Sequence, residues 1–230
     1  MDEFFTLLHH TGIVPVIKIE DANQSVHLAK ALLKGGIGVA EITFRTEAAA
    51  ESIQAITENV PEMCVCAGTV LTVEQAQGAV SAGAKGIISP GTNPEVVAWC
   101  LEMGVPVIPG CATPSEVEAC MRMGLKVVKL FPAEVVGGVK MLKALYGPYA
   151  SMKFMPTGGI QLQNAADYLR LPNVLACGGS WIVPAGLLQS GDYEEIFRLA
   201  AQAHELAAVS YTHLDVYNRQ GLFLVPFFLM

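Results

Sequence analysis

The chain has 230 residues, of which 52% are hydrophobic and 15% charged, with a net charge of −7. This length suits one large domain or two small ones, and the apolar composition suits a buried parallel sheet. An acidic balance without a basic patch argues against nucleic acid as a partner. Residues 2–11 predict a short amphipathic helix closed by Gly12. Asp2 and Glu3 stand where a secretory leader would carry basic residues, so a cytoplasmic protein is expected.

A rhythm then begins. Strands are predicted over 13–19, 39–45, 64–69, 86–90, 105–110, 126–131, 153–157 and 174–177. Helices are predicted over 22–34, 47–58, 73–82, 94–103, 114–123, from 131 to about 145, over 161–169, briefly near Trp181, and over 193–207. Pro94 and Pro114 stand in first turns, where proline is tolerated. Eight strands each followed by a helix predict a single (β/α)8 TIM barrel with an N-terminal helix, spanning residues 1–208. The first strand ends without the glycine-rich turn of a dinucleotide-binding sheet.

The run Lys126-Val127-Val128-Lys129-Leu130-Phe131-Pro132 is the odd one. Alternation puts Val127, Lys129 and Phe131 on one face. Burial among such neighbours disfavours the ammonium form, and a neutral amine can form an imine with a carbonyl. Taken alone, a lysine that snorkels out at a strand end is the commoner case. In this fold the site lies at the C-terminal strand ends. There the second strand carries Glu41, Thr43 and Arg45 on one face, predicted to point inward. The third ends at Thr69, the fourth at Ser89-Pro90-Gly91, the seventh at Thr157-Gly158-Gly159 and the eighth at Gly178-Gly179-Ser180. Glycine-rich turns after strands seven and eight often form a phosphate site. Each element has a bland alternative, a tight connection or a satisfied ion pair. Together at one barrel mouth they read as a site.

Six cysteines without a framework spacing read as reduced thiols, and Cys64/Cys66 lacks a second pair at zinc spacing. The histidines, His9, His10, His27, His204 and His213, fall in predicted helices or the tail, so no metal centre is expected.

The chain resembles the class I 2-keto-3-deoxy-6-phosphogluconate (KDPG) aldolases, including the bifunctional KHG/KDPG aldolases, over residues 4–207. The likeness rests on Gly12-Ile13-Val14-Pro15-Val16, Glu41-Ile42-Thr43-Phe44-Arg45-Thr46, Gly68-Thr69-Val70 and Pro109-Gly110-Cys111-Ala112-Thr113-Pro114. It continues in Lys129-Leu130-Phe131-Pro132-Ala133-Glu134, Pro156-Thr157-Gly158-Gly159-Ile160 and Gly178-Gly179-Ser180-Trp181. The resemblance implies that Lys129 forms the Schiff base and Glu41 is the general acid/base. It implies that Arg45 holds the pyruvate carboxylate and that Thr69, Pro90, Phe131 and Thr157 contact substrate. Gly158, Gly159, Gly179 and Ser180 would hold its phosphate. It further implies a phosphorylated keto-acid substrate of the Entner–Doudoroff type, no cofactor, no membrane and a homotrimer. Arg45 favours the gluconate type over the galactonate type. A phosphosugar isomerase or epimerase, or a non-catalytic phosphate-binding barrel, would not need Lys129 as nucleophile.

Residues 209–230 break the rhythm. The apolar run at their end is too short for a membrane span and contains Pro226. The segment 209–220 is similar to a read-through stretch that recurs in assembled metagenomic sequences. The tail is therefore expected to be non-native or disordered.

Overall fold

The computed structural model describes the backbone of residues 3–221 and the side chains of residues 3–210. The strands are β1 (Ile13–Ile17), β2 (Val39–Thr43), β3 (Cys64–Gly68), β4 (Ile87–Ile88), β5 (Val107–Ile108), β6 (Gly110–Cys111), β7 (Val127–Leu130), β8 (Lys153–Pro156) and β9 (Cys177–Gly179). The helices are α1 (Glu3–Thr11), α2 (Ser25–Lys34), α3 (Ala49–Asn59), α4 (Val73–Ser81), α5 (Pro94–Glu102), α6 (Pro114–Arg122), α7 (Gly138–Tyr146), α8 (Leu162–Leu169), α9 (Ala185–Ser190) and α10 (Tyr193–Gly221). One sheet runs β5-β4-β3-β2-β1-β9 and a second runs β6-β7-β8. All their strand pairs are parallel. Bridges Phe154↔Val174 and Thr157↔Gly178 join the β8 edge to the segment of β9. At the other edge Lys129 N donates to Pro109 O across 2.8 Å. The result is an α/β fold with a parallel, curled sheet.

Period two sorts the strand side chains into two cores. Val14, Val39, Cys66, Ile88, Ile108, Val127 and Met155 pack inside the curl. Their sequence neighbours Ile13, Ala40, Val65, Ile87, Val128 and Phe154 pack outward among the helices. Phe4 and Leu8 of α1 belong to the inner core. A β-carbon on Gly86, just before β4, would come within 2.7 Å of Phe4 Cε2, so position 86 has no room for one. Helix α1 therefore plugs the end where the strands begin, and each of its two buried apolar side chains contributes about 1.5–3 kcal/mol by leaving water.

The predicted elements are recovered apart from shifts of their ends and four larger differences. The fifth strand divides into β5 and β6, because Pro109 between them lacks a backbone N–H. The eighth is displaced: Val174 makes only a bridge, and the strand proper is Cys177–Gly179. After β7 the chain makes turns until α7 starts at Gly138, where Gly137 and Gly138 both take positive φ. Helix α10 passes the expected end at Ala207 and runs to Gly221, there being no glycine or proline between Tyr193 and Gln220 to stop it. The helical backbone thus crosses the boundary expected at 208, and the apolar run at 222–230 lies outside the described residues. Among the described residues no helix is long and apolar enough to cross a membrane.

Candidate active site

Lys129 and Glu41 reach toward each other across the interior of the curl. Lys129 points in from β7 and Glu41 from β2, and Lys129 Nζ stands 3.3 Å from Glu41 Oε1. Neither meets solvent appreciably: Lys129 is 4% exposed and Glu41 0%. Removing two charges from water is costly, and one ion pair with a single hydrogen bond does little to offset it. Glu41 Oε2 is buried with no hydrogen-bond partner at all. An orphaned carboxylate oxygen beside an amine is a poor structural device and a usable acid/base.

The strands around the pair are shaped to fit it. Glu41 lies in register with Cys66 on β3, and Gly68 follows two residues on. A β-carbon at Gly68 would come within 2.6 Å of Glu41 Cγ. Its neighbour Cys64, burial and the Glu41 charge hold the Cys66 thiol well above its usual range. Thr69, immediately after, holds φ at +56°, the single non-glycine residue with positive φ among those described. For a β-branched residue this conformation is strained by roughly 1–3 kcal/mol, and such strain collects at functional sites. On the far side Lys129 is in register with Gly110 of β6. A β-carbon on Gly110 would overlap the Pro90 backbone, so β6 and the Pro90 loop touch directly. The Phe131 ring lies beside the amine, with its centroid 5.3 Å from Lys129 Nζ.

Arg45 is placed differently from the simple alternation expected. Strand β2 ends at Thr43, and Arg45 N donates to Thr43 O across 2.8 Å in a tight turn. The guanidinium is exposed at the rim, where Nε donates to Thr43 Oγ1 at 3.1 Å. Thr43 in turn donates to Ile17 O at 2.8 Å. Among the described residues no carboxylate pairs with Arg45, so its charge remains available to an anion.

The two glycine turns leave the sheet side by side, because Thr157 bridges Gly178. Thr157 is buried, and its Cγ2 would lie 3.1 Å from a β-carbon on Gly178. Gly158 and Gly159 both take positive φ. A β-carbon on Gly179 would overlap the Trp181 ring, and Ser180 is exposed. The predicted residues therefore fall into a buried pair with its wall, a rim arginine and a double glycine turn. Contacts that no local sequence pattern marks stand behind them: the space at Gly68, the Thr43 link to Arg45 and the Glu134 side chain against Gly159. Among the described residues no cluster of His, Cys, Asp or Glu is arranged to hold a metal ion.

The family model for KDPG and KHG aldolase matches residues 5–199. The 2-dehydro-3-deoxy-phosphogluconate aldolase of Treponema pallidum is 48% identical over 209 residues, covering 91% of this chain and 100% of that protein. The KHG/KDPG aldolase of Escherichia coli K12 is 48% identical over 193 residues, covering 84% of this chain and 91% of that protein. Among solved structures, KDPG aldolase from Legionella pneumophila, with pyruvate captured as a covalent carbinolamine intermediate, superposes with a TM-score of 0.84. It is 38% identical, covering 86% of this chain and 97% of that one.

Proposed function

The chain belongs to the KDPG and KHG aldolase family, and from that premise we propose that it cleaves 2-dehydro-3-deoxy-6-phosphogluconate to pyruvate and glyceraldehyde 3-phosphate through a Schiff base on Lys129. The observation that carries this reading is the buried contact between Lys129 Nζ and Glu41 Oε1, with Glu41 Oε2 left unpartnered. The pair holds one transferable proton between an amine nucleophile and a carboxylate.

The roles follow from that proton. Glu41 gives it to the keto oxygen as Lys129 attacks the keto carbon and takes one back from the nitrogen, forming a carbinolamine. Glu41 then delivers this second proton to the departing hydroxyl, water leaves, and an iminium ion forms. The carboxylate next takes the proton of the substrate's C4 hydroxyl. The C3–C4 bond breaks, its electron pair flows into the iminium, and the aldehyde departs. The enamine left behind is protonated at C3 and hydrolysed, which releases pyruvate and frees Lys129. Phe131 excludes water from the imine side. Arg45 pairs with the keto-acid carboxylate, for which its fork of donors suits it. Thr69, Pro90 and Thr157 line the substrate, and Gly158, Gly159, Gly179 and Ser180 take the phosphate. The smaller substrate 4-hydroxy-2-oxoglutarate, cleaved to pyruvate and glyoxylate, needs only the first part of this machinery.

Counting β5 and β6 as halves of one strand leaves eight, and we read the curl as a closed (β/α)8 barrel contained in residues 1–208. The working enzyme is a cytoplasmic homotrimer that needs no cofactor. Steady-state kinetics on the phosphogluconate, phosphogalactonate and 4-hydroxy-2-oxoglutarate substrates tests the assignment. The highest kcat/KM belongs to the phosphogluconate. Failure to release pyruvate from any of the three would overturn the reading.

A further inference from the structure

Glu134 carries no chemistry in the scheme above, yet it is built into the back of the double glycine turn. Its backbone N–H donates to Gly158 O at 3.1 Å, and that of Ala133 donates to Thr157 O at 2.8 Å. Its side chain lies against the turn: a β-carbon on Gly159 would come within 2.5 Å of Glu134 Cγ. Its Oε1 accepts a hydrogen bond from Tyr168 OH. Tyr168 belongs to α8, and its side chain is fully buried. Burial foremost, and then the Glu134 bond, push the phenol well above its ordinary pKa, so it stays a donor. Gly138 completes the fit, since a β-carbon there would stand 2.9 Å from Glu134 Oε1. The turn after β7, the turn after β8 and helix α8 thus meet at one carboxylate.

We propose that Glu134 and Tyr168 are positioning residues for the phosphate subsite: the strut from Tyr168 OH to Glu134 Oε1 sets the Gly158-Gly159 backbone at the spacing a phosphate monoester requires. The proposal rests on the assignment of these glycines to the phosphate. A carboxylate so close to a phosphate would repel it. That placement is reasonable for a residue serving as an acceptor and unreasonable for one serving as a charge. Ala133 N, Glu134 N and Asn164 Nδ2 hold the turn's carbonyls, and the Tyr168 bond fixes the Glu134 side chain that packs against Gly159; removing that bond frees this side chain and loosens the set of Gly159, while the imine site on β2 and β7 is untouched.

The test compares the phosphogluconate substrate with unphosphorylated 4-hydroxy-2-oxoglutarate in Tyr168→Phe, Glu134→Ala, Glu134→Gln and Ser180→Asp. Loss of one hydrogen bond corresponds to about a fivefold rise in KM for the phosphorylated substrate in Tyr168→Phe and Glu134→Ala. Their kinetics on 4-hydroxy-2-oxoglutarate stay at the level of the unaltered enzyme. Glu134→Gln keeps an acceptor oxygen and stays near the unaltered enzyme on both substrates. Equal losses on both substrates would mean a merely structural contact and overturn the proposal. So would a lowered KM in both Glu134 variants, since charge alone would then be acting. Ser180→Asp separates the premise from the inference. If it leaves the preference for the phosphorylated substrate unchanged, the phosphate site itself is misassigned. If it abolishes that preference while Tyr168→Phe and Glu134→Ala do not, the strut alone is wrong. Should Tyr168→Phe fail to fold, the two Glu134 variants decide the matter.

Discussion

Gly68 and the Glu41 carboxyl group compete for one space: a β-carbon on Gly68 would stand 2.6 Å from Glu41 Cγ and 2.8 Å from Cδ. Gly68 does not take positive φ, so its backbone conformation alone does not demand glycine. The requirement is volume, and the side chain that needs the volume is the one facing Lys129.

Gly68→Ala is therefore expected to fold and to lose activity. Its methyl group displaces the carboxylate from Lys129, and a misplacement of about 1 Å costs about 100-fold in rate. The measurement is kcat/KM together with a thermal melt. Full activity would mean that Glu41 tolerates a different position and that the observed contact is incidental.

Phe4→Ala removes the larger half of the plug at the strand-start end. A buried Phe→Ala change costs about 3–5 kcal/mol, and each kcal/mol lowers Tm by roughly 2–4 °C in a domain of this size. Gly86→Ala should act in the same direction, because its β-carbon collides with the same ring. Catalysis at low temperature should persist in both, since the site lies at the opposite strand ends. Differential scanning calorimetry reads the shift, and an unchanged Tm in both variants would remove α1 from the core.

A chain ending at Ala208 is expected to keep its kcat and KM. Ile196, Ala200, Ala203 and Ala207 of α10, which pack on the body of the protein, all precede that cut, whereas Val209 is exposed. The truncation does remove Ser210, which is buried and donates to Leu206 O at 2.8 Å. A Tm loss within about 2–4 °C, or roughly 1 kcal/mol, is accounted for by that bond. A larger loss, or a changed oligomeric state, would show that the segment after 208 is structural.

What the sequence made legible was what depends on local pattern. Period-two alternation with a charged residue in an apolar run marked Lys129, and the same alternation marked Glu41 and Thr43. Glycine pairs at strand ends marked the two turns. What was not legible depends on distance along the chain. The contact between Glu134 and Tyr168 spans 34 residues. Phe4 meets Gly86 at the end of the curled sheet where the strands begin. Arg45 defeated alternation because β2 stops at Thr43 and turns. Pro109 is visible in the sequence, but the pairing that divides the fifth strand around it is set by distant strands, β4 on one side and β7 on the other. The length of α10 is not legible from composition, which changes at 209 where no residue stops a helix.

The central claim is that Lys129 is the imine nucleophile, and reductive trapping tests it most directly. Incubation with pyruvate followed by borohydride should reduce the imine to a stable secondary amine. Mass spectrometry of the digested protein should place that adduct on Lys129 and on no other lysine, and Lys129→Met should give none. An adduct on another lysine of the unaltered chain, or trapping undiminished in Lys129→Met, would contradict the account.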